Sequence, residues 1–305
     1  MRAPGAEGIW HRGHVPDGPR SIFEIGSITK VFTATLLADM AREGLVGLDE
    51  PVQRWLPGVP VRGRPITLAE LSTHRSGLPG LPKGLLLSAL TRDRRDPYAR
   101  VDPAWLEAAI PRTRPKREPG QRFAYSNYAV GLLGYLLAQR AGTSYERLVR
   151  ARICEPLGLR DTWVQTPVAD RGRVATPHDR WGRETGHWHL AALAGAGGLR
   201  STADDLLAFL DHHARGEGAT RETQRVRDDI SRRVKIGLGW WIVPAGTRLP
   251  VRRLPVDVLF HEGGVGGFRT FAAVAPATGA SAVVLANQVR SVTRLGWQVM
   301  RAVLS

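Results

Sequence analysis

Beyond Ile236 the chain breaks into short strand-length blocks, and almost nothing before that point resembles them. Gly237 to Val243, Val256 to Phe260, Phe268 to Ala275 and Ser281 to Ala286 are rich in β-branched and aromatic residues. Thr278-Gly279 supplies a turn that suits a hairpin between the last two. Upstream, only Phe23 and Ile25 give a brief strand-like alternation, ending at Gly26. The rest is helical in period. From Ser27 to Glu43, Ile28, Val31, Phe32, Leu36, Leu37 and Met40 recur at three- and four-residue steps, and Gly44 stops the run. Tyr128 to Gln139 is a strongly apolar helix closed by Gly142. Thr67-Leu-Ala-Glu70 and Thr143-Ser-Tyr-Glu146 read as capping boxes opening two more helices. Asp49 to Leu56, Pro103 to Ile110, Ser201 to His213 and Val292 to Leu304 complete the helical set. Helices in the middle and strands at the end indicate an α+β fold, not the alternating βαβ of a doubly wound sheet.

The 305 residues suffice for one large domain or two packed lobes. At 43% hydrophobic and 23% charged, the composition excludes disordered and fibrous classes. Cys154 is the single cysteine, so no intrachain disulfide forms; it reads as a buried, inert thiol. Met1 to Gly26 holds no apolar run of signal-peptide length, and no stretch is long and apolar enough to span a membrane. The expectation is a soluble, cytoplasmic protein without a membrane partner. Net charge is +15, with arginine clusters at Arg92 to Arg95, Arg112 to Arg117, Arg171 to Arg183, Arg221 to Arg233 and Arg252-Arg253. These lack the interleaved aromatics of a base-stacking platform and any helix-turn-helix or zinc-finger pattern. They read as a surface property, and no specific nucleic-acid partner is expected. His187-Trp-His189 and His212-His213 have no third and fourth ligand at a recognisable spacing, so neither a metal nor a cofactor is expected.

Only four of the 43 basic residues are lysine, which makes their neighbours easy to audit. Ser27-Ile-Thr-Lys30 is the one Ser followed by Lys three residues later, and on a helix such residues share a face. A neutral, desolvated lysine beside a serine can act as general base and generate a nucleophile. A chance Ser-x-x-Lys on a solvated helix is the bland alternative. Tyr125-Ser-Asn127 is the only Tyr-x-Asn among five tyrosines. Its phenol can relay protons and its amide can hold a carbonyl, or the tripeptide can simply cap the next helix. Phe260-His-Glu-Gly-Gly264 closes a strand-patterned block, so His261 can point into a cleft while Gly263 and Gly264 allow close backbone approach. His-x-Gly also occurs at His11-Arg-Gly13, but without the strand context.

Taken in order, Ser27-x-x-Lys30, Tyr125-Ser-Asn127 and His261-Glu-Gly263 resemble the penicillin-recognising serine hydrolases, in particular their class C β-lactamase, DD-peptidase and esterase branch. Phe23-Glu-Ile-Gly-Ser-Ile-Thr-Lys30, Leu71-Ser-Thr-His-Arg-Ser-Gly-Leu78, Pro156-Leu-Gly-Leu159, Gly197-Gly-Leu-Arg-Ser-Thr-Ala203 and Gly237-Leu-Gly-Trp240 are similar to that family's connecting segments. The resemblance covers residues 22–304, after a short N-terminal segment 1–21. It implies a β-lactamase/transpeptidase-like fold: an antiparallel sheet flanked by helices, a mostly helical second lobe, and a cleft between. It further implies Ser27 as acylated nucleophile, Lys30 as its base partner and Tyr125 as general acid/base. Asn127 would orient substrate, with His261 and Gly263 beside it, and His261 would hydrogen-bond Tyr125 or a polar group of the substrate. The N–H groups of Ser27 and Gly264 would form the oxyanion hole. Trp181 and Trp188 would border the cleft, as acyl-pocket or packing residues, and His74 would make a structural hydrogen bond near it. Two departures stand out. Few residues precede Ser27, so an N-terminal edge strand is expected to be missing or to lie upstream. His261 replaces the lysine of class C β-lactamases and is followed by Glu262. The implied function is a serine hydrolase acting through an acyl-enzyme on a small-molecule ester or amide. β-Lactamase or DD-peptidase activity, acyl transfer, and a non-catalytic binding protein on the same fold are the alternatives.

Overall fold

Residues 268 to 275 show how the molecule is layered. Phe268, Ala272 and Val274 enter one hydrophobic core, while Phe271, Ala273 and Ala275 enter a second on the opposite face of the strand. That is the period-two alternation of a sheet covered on both sides. The computed structural model describes residues 1–3, 6–85, 96–249 and 252–305. Its strands are β1 (Arg2–Ala3), β2 (Ala6–Glu7), β3 (Phe23–Glu24), β4 (Arg200–Ser201), β5 (Asp228–Ser231), β6 (Val234–Ile236), β7 (Trp241–Val243), β8 (Arg248–Leu249), β9 (Arg252–Arg253), β10 (Val258–Val265), β11 (Phe268–Ala275) and β12 (Ala280–Ala286). One eight-stranded sheet runs in the order β2-β1-β12-β11-β10-β7-β6-β5, antiparallel at every pairing. The longer helices are α1 (Thr29–Arg42), α2 (Asn127–Arg140), α3 (Ala203–Arg215) and α4 (Thr293–Leu304). Helix α4 lays Met300 and Trp297 on one face of β11 and β12, and α3 covers the other, with α1 in the same hydrophobic core. Helix α2 belongs to the helical lobe and is buried from Tyr128 to Ala138 except at Tyr135.

The α+β class and the expected antiparallel sheet flanked by helices therefore hold. The expected absence of an N-terminal edge strand does not. Arg2 pairs with Ser281, and β1 pairs with β2 through Arg2–Glu7 and Ala3–Ala6, so these two strands extend the sheet beyond β12. Two-residue strands are too short to carry a periodic signal, which is why they escaped the reading of the sequence. Two local expectations also shift. At the second anticipated capping box, Ser144 rather than Thr143 is the N-cap, accepting from Arg147 N, and the Glu146 carboxylate instead accepts from Val164 N and Gln165 N. Gly237 to Trp240 is a turn before β7, because Gly239 must pass α1 with the position of a Cβ only 2.9 Å from Lys30 O. Strand β5 was unanticipated, since Asp228 and Asp229 give it no apolar alternation. The Arg92 to Arg95 cluster lies outside the described residues. Among the described residues, no helix is long and apolar enough to cross a membrane.

Candidate active site

Strand β3 pairs with β4 and leads into a 3-10 turn at Gly26–Ile28, from which α1 continues. Ser27 sits at the centre of that turn and Lys30 enters the first turn of α1. The three-residue step places Lys30 Nζ 2.9 Å from Ser27 Oγ. Gly26 makes the approach possible. Its φ is +54°, and a Cβ there would lie 2.7 Å from Gly264 N, so a side chain would be both strained and blocked. Thr270 Oγ1 on β11 donates to Ile25 O at 2.8 Å, tying the sheet to the residues just before the turn.

Lys30 is 1% exposed and has three oxygen partners: Ser27 Oγ, Asn127 Oδ1 at 2.8 Å and Ala196 O at 2.5 Å. Burial pushes its amine down to about 7, so much of it is neutral at neutral pH. A neutral amine has two N–H donors and one lone pair. Asn127 Oδ1 and Ala196 O can only accept, so they engage both donors and leave the lone pair for the Ser27 hydroxyl proton. Tyr125 then donates its hydroxyl to Ser27 Oγ at 2.8 Å. Its ring is open on one side, but desolvation at the hydroxyl end pushes the phenol up to about 12, which keeps it protonated.

The start of α2 explains how Tyr125 and Asn127 converge. Ser126 is the N-cap, its Oγ accepting from Ala129 N at 2.9 Å, so the helix-cap reading of this tripeptide is also correct. The residues on either side of the cap face Ser27 and Lys30. Farther along α2, Gly134 meets Gly195, where a Cβ would lie 2.9 Å from the opposite Cα. This contact lets the 191–196 segment press against the helix and present Ala196 O to Lys30.

His261 and Gly263 lie on β10. A Cβ on Gly263 would fall 2.0 Å from Ile25 O, so only glycine admits the turn carrying Ser27. Gly264 is adjacent to Gly26, one residue from the serine. His261 is 1% exposed, and its Nδ1 contacts Glu262 O at 2.7 Å. A carbonyl only accepts, so the proton is on Nδ1 and Nε2 carries a lone pair, buried without a hydrogen-bond partner. Burial, with Lys30 nearby, pushes this imidazole down to about 3. It is neutral and does not hydrogen-bond Tyr125, whose hydroxyl is on Ser27 instead.

The beta-lactamase family profile matches residues 5–304. The chain belongs to the beta-lactamase family. This is a family of serine hydrolases. A D-alanyl-D-alanine-carboxypeptidase/endopeptidase, AmpH of Escherichia coli K12, is 30% identical over 88% of this chain and 71% of its own length. A beta-lactamase of Pseudomonas fluorescens is 28% identical over 90% of this chain and 81% of its own. Among solved structures, a class C beta lactamase from Rhodobacter sphaeroides superposes with a TM-score of 0.76 at 28% identity, covering 94% of this chain and 87% of that one. A beta-lactamase/D-alanine carboxypeptidase from Pseudomonas syringae gives 0.79 at 21% identity, over 93% and 85%, a likeness of fold.

Within this beta-lactamase-family site, sequence reasoning missed Tyr98. It is 5% exposed, and burial raises its pKa, an effect that the nearby Asn127 side chain partly offsets. The Lys30 amine donates to Asn127 Oδ1, which fixes the orientation of the amide and leaves its nitrogen as a donor. The aromatic ring lies 5.6 Å from Trp188. Asp96 joins the two segments, accepting from Tyr98 N and from His189 N. No motif announced Tyr98; only its place between Asn127 and Trp188 does. Trp188 thus packs at the cleft, while Trp181 is 65% exposed against Arg180. His187 and His189 serve different carboxylates, Glu24 at 2.6 Å and Asp96 at 3.2 Å. His74 makes the hydrogen bond expected of it, accepting from Ser126 N at 3.2 Å. Cys154 is buried, and burial pushes its thiol up to about 12.

Proposed function

We propose that this chain hydrolyses small esters or amides through a covalent acyl-enzyme on Ser27. Lys30 supports the reading most directly: a buried amine at about 7, with both N–H groups engaged by carbonyl oxygens and its lone pair on Ser27 Oγ. In this mechanism Lys30 takes the Ser27 proton as Oγ attacks the substrate carbonyl. The N–H groups of Ser27 and Gly264 face the developing oxyanion, where one donor is worth about a hundred- to a thousandfold in turnover. Tyr125 passes a proton from Lys30 to the leaving alcohol or amine, and the same pair activates water for deacylation. The free N–H of Asn127 holds the acyl carbonyl.

His261 bears on the leaving group. Buried and neutral, with its only proton directed to Glu262 O, it supplies no cation where a class C β-lactamase would offer an ammonium. Substrates with a neutral leaving group are therefore favoured over those with a carboxylate beside the scissile bond. A fluorophosphonate probe tests the proposal. Adduct formation on the wild type and none on Ser27→Ala is expected; labelling that survives the substitution overturns it.

The relatives support a second reading, β-lactamase or D-alanyl peptidase activity, since two of them carry those names. Intact mass spectrometry after penicillin exposure separates the two. A Ser27 penicilloyl adduct, or its turnover, favours the second reading, and an unmodified chain that still hydrolyses esters favours the first.

A further inference from the structure

A second buried imidazole lies close to Tyr125 and has no part in the chemistry above. His74 is 2% exposed, and its backbone has a φ of 58°. A residue with a Cβ occupies that left-handed region sparsely and stays there only where its surroundings hold it. Here three contacts do. Ala124 N–H donates to His74 O at 2.9 Å, and Ser126 N–H donates to His74 Nδ1 at 3.2 Å. The imidazole ring lies 4.4 Å from the Tyr125 ring, the planes inclined by 38°. One residue therefore engages the backbone amides on both sides of Tyr125 and the ring of Tyr125 itself. An Nδ1 that accepts means a neutral ring with its proton on Nε2. Burial, with Lys30 and His261 nearby, holds its pKa well below the usual value, so it stays in that form.

We propose that His74 is a positioning residue that keeps the Tyr125 hydroxyl on Ser27. Tyr125 is 37% exposed, so the open side of its ring does little to fix it. Its reach to Ser27 Oγ depends on the direction in which the backbone at 124–126 launches the side chain, and His74 sets that direction. The left-handed backbone is what turns the carbonyl and Nδ1 of the same residue toward the two amides. A displacement of about 1 Å at such a proton-relay group lowers rates by up to roughly a hundredfold.

The inference rests on the acyl-enzyme reading and can fail separately from it. Glycine accepts a φ of 58° without strain and keeps the carbonyl, so His74→Gly removes only the imidazole. Asparagine also tolerates that region, and its Oδ1 can take the place of Nδ1 as acceptor. Turnover of a short-chain nitrophenyl ester is measured for wild type, His74→Gly, His74→Asn, Tyr125→Phe and the Tyr125→Phe/His74→Gly pair, with melting temperatures alongside. We expect His74→Gly to lower kcat about 10- to 100-fold with KM within about threefold, and His74→Asn to recover to within about fivefold of wild type. In the Tyr125→Phe background, His74→Gly should do nothing further. Wild-type kcat in His74→Gly, or an equal loss with and without the Tyr125 hydroxyl, overturns the proposal. No turnover and no Ser27 labelling in the wild type instead overturns the acyl-enzyme reading on which it stands.

Discussion

Replacing Lys30 by methionine separates what this residue does for chemistry from what it does to the fold. The amine is fully buried and titrates at about 7, against 10.5 for an ordinary lysine. Between those two values the unfolded chain binds a proton that the folded chain does not, so the stability contributed by this group rises with pH across the window. Integrating gives a destabilisation of roughly 4 kcal/mol at pH 7 that shrinks to roughly 1 kcal/mol at pH 10. Methionine fills similar volume without a charge. It also leaves Asn127 Oδ1 and Ala196 O without their donor, which offsets the gain by about 1–3 kcal/mol for each. The absolute change is therefore modest, but the offset is the same at both pH values. The expected result is that the stability of Lys30→Met relative to wild type, whatever its sign at pH 7, shifts by roughly 3 kcal/mol in favour of wild type at pH 10. Urea unfolding followed by tryptophan fluorescence at the two pH values measures it. A difference that does not change with pH refutes the argument, because Lys30 would then not be a depressed base. The same variant should show no ester turnover at either pH.

Three further outcomes follow from the same geometry. The rate of Ser27 acylation should rise with pH through an inflection near 7, set by Lys30; a stopped-flow pH profile that inflects above 9 contradicts this. His74, His213 and His261 are all buried and neutral, with His213 and His261 pushed down to about 3. Because their folded values are depressed, the stability they allow is complete above about pH 6.5 and should be lost as pH falls, by up to roughly 4 kcal/mol per pH unit for the three together; a flat urea midpoint between pH 6.5 and 5 argues against it. Asn127→Ala should keep the fold but take an acceptor from the Lys30 amine, lowering ester kcat about tenfold or more; an unchanged kcat in a nitrophenyl-ester assay argues against it.

Much of the site was legible because its parts follow from local geometry. Ser27 and Lys30 are one helical turn apart, and Tyr125 and Asn127 flank a serine cap, so sequence spacing already contains their convergence. The four C-terminal blocks announced the central strands through apolar runs long enough to show a period. The signal failed where length or chemistry removed it. Strands β1 and β2 are two residues each, and β5 opens with two aspartates. Ala196 reaches Lys30 through a backbone carbonyl, which no side-chain pattern encodes, across 166 residues of sequence. Tyr98 looks like any core tyrosine until α2 is folded beside it. For His261 the sequence supplied the residue but not its tautomer; only the contact with Glu262 O shows that Nδ1 carries the proton and Nε2 the lone pair.

The central claim is that Ser27 is a nucleophile activated by Lys30, and peptide-level mass spectrometry after fluorophosphonate treatment at pH 8 tests it most directly. The prediction is a single phosphonylated peptide containing Ser27, lost in Ser27→Ala and slowed at least a hundredfold or so in Lys30→Met. Labelling at another residue, or undiminished Ser27 labelling without the lysine amine, would contradict it.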